Sequence, residues 1–466
     1  MSAEIHDGLA PVPHAGPTVP IRLVTEAGLE AALSEPRLQT LAAQSEFKAQ
    51  AGRLLLVNRP DGALEAVLFG LGKGGDPMLA RGLPSRLPPG DYKFEGGEDL
   101  RPDLLALAWT FGARVFDRYK ADVRAKAERR PRLVVEDAEG VRMTAHACAL
   151  ARDMVDTPAN DMGPRQIEAI AREIARQFGA AIEVTEGEAL LAGYPAVAAV
   201  GRAAVPERGP RMIEISWSGA GPEAPLVAIV GKGVVFDTGG LDLKPSSSMR
   251  LMKKDRGGAA HALALARMVM GARLPVRLKV LVPAVENAVG GDAMRPGDVL
   301  DTRKGLTVEV GNTDAEGRLI LADALQRAAE FDPVLTVDFA TLTGAARAAL
   351  GPELPPMFTD DEILAAELIA AAQSEQDPLW RMPLWPGYAA ALDSEVADLA
   401  NDPAGWAQAG AVTAALFLKR FAPETGAWVH FDVFAWNPRG RPGWPVGGEV
   451  YAVRAVFRVL SDRYGA

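Results

Sequence analysis

The chain has 466 residues, 48% hydrophobic and 24% charged, a length and balance that suggest two or three domains around a sizeable core. A net charge of −10 argues against a phosphate-binding surface, and the single cysteine, Cys148, excludes a disulfide framework and a thiolate metal cluster. The first twenty residues show no basic patch followed by an apolar run, and no apolar stretch approaches the roughly 18 residues that span a bilayer. The expectation is a soluble cytoplasmic protein with no membrane partner.

Residues 1–20 read as irregular, with His6 and His14 inside a Pro-rich leader. RLLLVN (53–58), PDG (60–62) and EAVLFGL (65–71) predict a strand, turn and strand. GLGKGGDP (70–77) lacks the spacing and the Lys-Ser/Thr pair of a phosphate loop and reads as a turn. The pattern over 104–127 predicts a helix, and the basic run 120–132 a solvated face ahead of a linker. The domain boundary is expected there, giving domains 1–135 and 136–466.

The second part alternates. Helices are predicted over 142–156, 165–178, 257–271, 318–331, 361–374 and 408–421, and strands over 181–185, 211–217, 226–236, 277–283, 306–310, 334–340 and 428–434. Such alternation points to an α/β fold with a mostly parallel sheet covered on both faces. His146, His261 and His430 lie in apolar patterns and read as core histidines with a backbone partner, and Cys148 as a buried thiol. With histidine this scarce, any metal must be held mostly by carboxylates, which favours hard or borderline cations.

Chemistry concentrates in two stretches. In GKGVVFDTGGLDLKPSSSMRLMKKDRGGAA (231–260) a strand ends at Asp237, Thr238, Gly239 and Gly240 force a turn, and Asp255 closes a loop before a helix. Lys232 and Lys244 fall in the same stretch. Such strand ends are where open α/β sheets bind ligands. In GNTDAEGRLIL (311–321), Asp314 and Glu316 sit on a strand-to-helix connection, where an extended backbone would turn both side chains the same way. A purely local account makes Asn312, Thr313 or Asp314 the helix cap and Glu316 its dipole complement. That account fails if Asp237 and Asp255 share the same sheet edge, because four neighbouring carboxylates need raised pKa values or divalent cations.

GKGVVFDTGGLDLKP, LMKKDRGGAA and NTDAEGRL resemble the signature stretches of the leucyl (cytosol) aminopeptidase family. Similarity continues through ARDMVDTPAND, VENAVGGDAMRPGDV, DFATLTGA, WRMPLW, ADLAN and AGAVTAALFLKRF, about 140 to 435, whereas the first 135 residues are assigned to the family's variable, macro-like N-terminal α/β domain by position. The resemblance implies a C-terminal three-layer α/β/α catalytic domain with a mixed, mostly parallel sheet. It implies two divalent ions per subunit (zinc or manganese, with magnesium or cobalt as alternatives) held by Lys232, Asp237, Asp255, Asp314 and Glu316. Lys244 would polarise the scissile carbonyl, and Arg318 would hold a bicarbonate ion as general base. Met252, Thr341, Leu342 and Gly344 match positions shaping the pocket for the first side chain, whose apolar character suggests a Leu- or Met-like preference; ordinary core packing is the alternative for Met252 and Leu342.

The expected activity is removal of N-terminal residues from short peptides by a homohexamer. The pattern departs from the family at Ser248, Arg250 and Arg256, and the tail WNPRGRPGWPVGGEVYAVRAV lacks the family's Gly-Ala-Thr-Gly run. Nucleic-acid binding and an inactive structural descendant are the competing readings, opposed by the acidic pI near 5.3 and by the intact motif positions respectively.

Overall fold

A computed structural model describes residues 7–121, 130–136, 138–403 and 405–465. The chain divides into two compact units: one gathers the residues up to Ala149 with Arg439–Val446, the other Leu150–Pro438 with Gly447 onward.

The first unit is built on β1 (Val19–Thr25), β2 (Leu54–Asn58), β3 (Leu64–Gly72), β4 (Asp91–Glu95) and β5 (Arg132–Leu133), in the order β2-β3-β1-β4-β5. β2 and β3 form the antiparallel hairpin expected there, and the remaining pairs are parallel. Alternation along β2 buries Leu55 and Val57 against Leu38 and Ala42 of the helix Pro36–Gln44. Arg81 donates through Nε to Gly443 O at 2.6 Å and lies over the Trp444 ring, so part of the divergent tail packs in this unit.

The helix expected over 104–127 is shorter. It spans Pro102–Ala113, buried continuously from Leu104, and Arg114 then takes extended angles (φ −60°, ψ 135°). Beyond Ala113 the sequence offers Asp117, Arg118 and Lys120 in place of a continuous apolar stripe, so a continued helix would have little to bury. Residues 122–129, with most of the basic run, lie outside the described residues.

The second unit carries β6 (Ala181–Glu186), β7 (Arg211–Ser218), β8 (Leu226–Gly231), β9 (Gly233–Asp237), β10 (Arg277–Asn287), β11 (Val299–Asp301), β12 (Thr307–Glu309), β13 (Leu335–Ala340), β14 (Pro356–Phe358), β15 (Trp380–Arg381), β16 (Leu399–Ala400) and β17 (Ala427–Asp432). Its main sheet runs β15-β14-β17-β13-β8-β10-β7-β6, with β9 added on β10. The centre, β17-β13-β8-β10, is parallel, and antiparallel pairs occur at β10/β7, β7/β6 and β17/β14. The mixed, mostly parallel α/β fold is therefore present. Every residue of β8 and β13 is buried, the mark of strands covered on both faces. Helices Gly257–Gly271 and Glu316–Ala329 both pack on β8 and β10.

The strand expected over 226–236 is two strands. β8 pairs with β10 and β13, whereas among the described residues β9 pairs with β10 alone, and Lys232 stands at the break. Its backbone is still served: its N–H reaches Phe339 O at 3.0 Å and its carbonyl accepts from Ala259 N at 2.7 Å. The strand expected over 306–310 forms as β12, in a separate three-stranded sheet with β11 and β16.

Cys148 is buried. His261 is a core histidine with backbone partners, Gly257 O at 2.7 Å from Nδ1 and Tyr451 N at 3.1 Å from Nε2. The other two differ from expectation. His430 is fully buried against the Asp338 carboxylate at 2.5 Å, and His146 faces Asp7 at 3.3 Å. Both partners are side chains far along the sequence, which local apolar patterning cannot reveal. Among the described residues no helix is long and apolar enough to cross a membrane.

Candidate metal centre

The carboxyl ends of the parallel strands assemble the expected residues at one edge. β9 ends on Asp237, the break after β8 presents Lys232, and the turn Met252–Arg256 presents Asp255 just before its helix. Glu316 opens the helix Glu316–Ala329. One carboxylate oxygen from each of Asp237, Asp255 and Glu316 lies within 4.8 Å of the others, and all three residues are buried.

Two lysines span the carboxylates in pairs. Lys232 Nζ lies 2.7 Å from Asp255 Oδ2 and 2.8 Å from Glu316 Oε1. Lys244 Nζ lies 2.8 Å from Asp237 Oδ2 and in close contact with Asp314 Oδ1, which brings Asp314 into the cluster. Asp314 and Glu316 do not project together from an extended segment as expected. Asp314 occupies a turn, Ala315 bends the chain (φ −105°, ψ 40°), and the two carboxylates reach different lysines. Of the local account the cap is not realised, since among the described residues no side chain caps this helix, whereas Glu316 does stand in its first turn.

The loops are shaped for this. Gly239 and Gly240 adopt left-handed angles (φ +87° and +65°), the turn that sends the chain back towards Lys244. A Cβ on Gly240 would stand 3.0 Å from Thr313 Oγ1, so the glycine also admits the 311–316 loop. Thr313 ties the loops together: its hydroxyl donates to Gly239 O at 2.6 Å, and its N–H donates to Asp242 Oδ2 at 2.7 Å.

Two of the carboxylates are held from behind. Asp237 Oδ1 accepts from Gly239 N at 2.9 Å and Asn287 Nδ2 at 2.8 Å. Asp255 Oδ1 accepts from Thr341 Oγ1 at 2.8 Å, with Lys254 Nζ at 3.3 Å. Asp255 Oδ2, Asp314 Oδ1 and Glu316 Oε1 lie within reach of a lysine, yet among the described residues none accepts an aligned hydrogen bond. Buried oxygen lone pairs without aligned donors, two of them on residues of the 4.8 Å cluster, fit cation ligation. The set of four carboxylates and one amine suits divalent zinc, manganese, magnesium or cobalt.

For Glu316 and Asp314 the electrostatics point the same way. Burial and the neighbouring Asp237 push Glu316 up to about 8 and Asp314 to about 6. Burial would also raise Asp255, but the charges of Lys232 and Lys254 outweigh it and hold its carboxyl below the usual range. Burial alone would lower Lys232, yet Asp255, Glu316 and Asp237 together raise it; Lys244 is raised by Asp237 and Glu316 against the same burial.

Arg318, in the first turn of the same helix, is buried with Nη1 on Asn401 O. Thr341 is buried with its hydroxyl on Asp255 and its carbonyl accepting from Lys232 Nζ at 3.2 Å. Leu342 is half-buried against the main apolar cluster, Met252 is half-buried, and Gly344 opens the helix Gly344–Leu350 facing open space.

Sequence reasoning missed Asn287, Asn401 and Lys254. Asn401 accepts from Gly311 N at 2.8 Å and donates to Asn312 O at 2.8 Å, bracing the 311–316 loop. The available signals were VENAVGG and ADLAN, segments similar to the family that carried no assigned role, and the second lysine of LMKKD.

Comparison with known proteins settles the family. Residues 149–457 match the sequence model of the cytosol aminopeptidase family, catalytic domain, and residues 19–131 that of the M17 aminopeptidase N-terminal domain. The chain belongs to the cytosol aminopeptidase family. A probable cytosol aminopeptidase of Roseiflexus castenholzii is 35% identical over 93% of this chain and 94% of its own length. The crystal structure of a cytosol aminopeptidase from Coxiella burnetii superimposes with a TM-score of 0.90 at 42% identity, covering 97% of this chain and 98% of that one. The bottromycin maturation enzyme BotP in complex with Mn gives 0.83 at 31% identity, covering 96% and 99%. As a cytosol aminopeptidase the chain is a hydrolase, a metallo-exopeptidase acting on peptides.

Proposed function

We propose that this cytosol aminopeptidase removes N-terminal Leu- or Met-like residues from short peptides, with Lys232, Asp237, Asp255, Asp314 and Glu316 holding two divalent ions. The observation that carries the reading is the buried cluster of Asp237, Asp255 and Glu316, one oxygen from each within 4.8 Å of the others, together with the lack of aligned donors, among the described residues, for Asp255 Oδ2, Asp314 Oδ1 and Glu316 Oε1. When bound, such ions bring the pKa of a coordinated water to ~7 and polarise a carbonyl, which supplies the hydrolytic chemistry. The complex of BotP with Mn supports manganese among the candidates, beside zinc, magnesium and cobalt.

The chain's own groups do the rest. Lys244, between Asp237 and Asp314, offers an ammonium to the carbonyl oxygen as it gains charge. Arg318 holds bicarbonate as general base, in keeping with the absence of a histidine from the cluster among the described residues. Met252, Thr341, Leu342 and Gly344 bound the pocket for the first side chain. We assign the catalytic part to 136–466 and the working form to a cytoplasmic homohexamer.

Metal analysis of the purified protein, with an activity profile over aminoacyl p-nitroanilides, tests the reading. Two equivalents of divalent metal and fastest release from Leu or Met substrates are expected. Asp314→Asn should abolish turnover with a thermal midpoint close to wild type, since the change leaves no cavity. A fully active Asp314→Asn protein overturns the ligand assignment.

A further inference from the structure

Asp432 ends β17 directly beside Ala340, the last residue of β13, and is buried. Its carboxylate reaches across to the segment that follows β13, accepting from Leu342 N at 3.0 Å, Thr343 N at 3.2 Å and Thr343 Oγ1 at 2.6 Å. Thr343 Oγ1 in turn accepts from Ala346 N at 3.0 Å and so starts the helix Gly344–Leu350. One residue earlier the same segment faces the carboxylate cluster, through Thr341 O to Lys232 and Thr341 Oγ1 to Asp255. The 341–344 loop is thus fastened on both sides, to the proposed metal ligands by Thr341 and to Asp432 by its next two amides.

No lysine or arginine among the described residues forms an ion pair with Asp432, and three of its roughly four acceptor positions go to this loop. A carboxylate buried without a paired lysine or arginine is costly, even with the His430 ring nearby, and a neutral acceptor would satisfy one amide at lower cost. What the charge adds is two adjacent backbone N–H groups and a hydroxyl gripped by one side chain, with bonds stronger than neutral acceptors make.

We propose that Asp432 is a positioning residue that fixes the 341–344 loop and thereby the side-chain selectivity of the peptidase. The inference rests on the assignment of that loop to the first-residue pocket. Among the described residues Asp432 bonds to none of the proposed metal ligands; it acts through Leu342 and Thr343.

The test uses the full-length protein and its Asp432→Ala, Asp432→Asn and Thr343→Val variants. Amide hydrogen exchange is measured at Leu342 and Thr343, and kcat and KM for Leu, Met, Ala and Glu p-nitroanilides, at matched metal content. In Asp432→Ala exchange at the two amides should accelerate at least tenfold while helix Gly257–Gly271 stays protected. The Leu-to-Ala ratio of kcat/KM should fall at least tenfold, with KM rising more than kcat falls. Asp432→Asn and Thr343→Val, which keep part of the grip, should lie between. Unchanged exchange at Leu342 and Thr343, or a loss uniform over the four substrates, overturns the proposal. Wild-type protein that cleaves none of the substrates overturns the pocket assignment instead, and exchange then decides the anchorage alone.

Discussion

Lys232 crosses Gly317 so closely that a Cβ on the glycine would stand 2.5 Å from Cε and 2.6 Å from Nζ of the lysine. The first turn of the helix Glu316–Ala329 therefore has a glycine where the lysine must pass to reach Asp255 and Glu316. Gly317→Ala should push the amine off its two carboxylates. A displacement of an ångström in such a site costs on the order of 100-fold in rate, and turnover should fall by about that much. Metal titration of the variant should show weakened binding with circular dichroism unchanged; wild-type turnover and metal affinity together would contradict the geometry.

Lys244 is spanned by Asp237 and Asp314, and its proposed work is on charge that develops only as the carbonyl is attacked. Lys244→Ala should lower kcat by about 100- to 1,000-fold, the usual cost of one lost oxyanion donor, and leave KM within a few-fold. Steady-state kinetics on Leu p-nitroanilide separate the two; a change confined to KM would assign Lys244 to substrate binding.

Chelation should matter more at alkaline pH. Glu316 is raised to about 8 by burial and by Asp237, so without a cation its contribution to stability is fully present below its ordinary pKa near 4.5 and is lost as pH rises through about 8. A divalent ion takes over from the proton. The drop in thermal midpoint on adding chelator should accordingly be larger at pH 8 than at pH 6, as scanning calorimetry of metal-loaded protein at the two values would reveal. An equal drop at both would refute this linkage.

His261 sets an acid limit away from the centre. Burial holds its imidazole down to about 4, with Nδ1–H donating to Gly257 O and Nε2 accepting from Tyr451 N, an arrangement a second ring proton would break. Because the folded pKa is depressed, this contribution is full above pH 6.5 and is lost as pH falls from there towards 4, up to roughly 3 kcal/mol. Urea melts at pH 7 and pH 5 should differ by more in wild type than in His261→Gln; identical pH sensitivity of the two proteins would remove His261 from the account.

Much of this centre was readable in the sequence because its groups sit in short segments whose local form is dictated nearby. The Gly239–Gly240 turn follows from backbone freedom, and the helix Gly257–Gly271 from a continuous apolar run. What could not be read depends on partners far along the chain. The break at Lys232 arises because β8 has β13 for a second neighbour and β9 has none, a fact of topology rather than of composition. Asn401 braces a loop some ninety positions earlier, and its own surroundings show an ordinary polar residue after a short strand. The helix over 104–127 was overextended for the converse reason: its periodic pattern continued past Ala113 although the buried stripe did not.

The segment Arg439–Val446 has a consequence for dissecting the molecule. The polypeptide leaves the first unit after Ala149, revisits it for eight residues and finishes in the second, so the units share three crossings of the chain. No single proteolytic nick can release either half intact, and a shortened gene beginning at Leu150 would strand Trp444 and Gly443 without the Arg81 side chain that receives them. Anyone wishing to express the hydrolytic part by itself must redesign this ribbon as well as choose a starting residue.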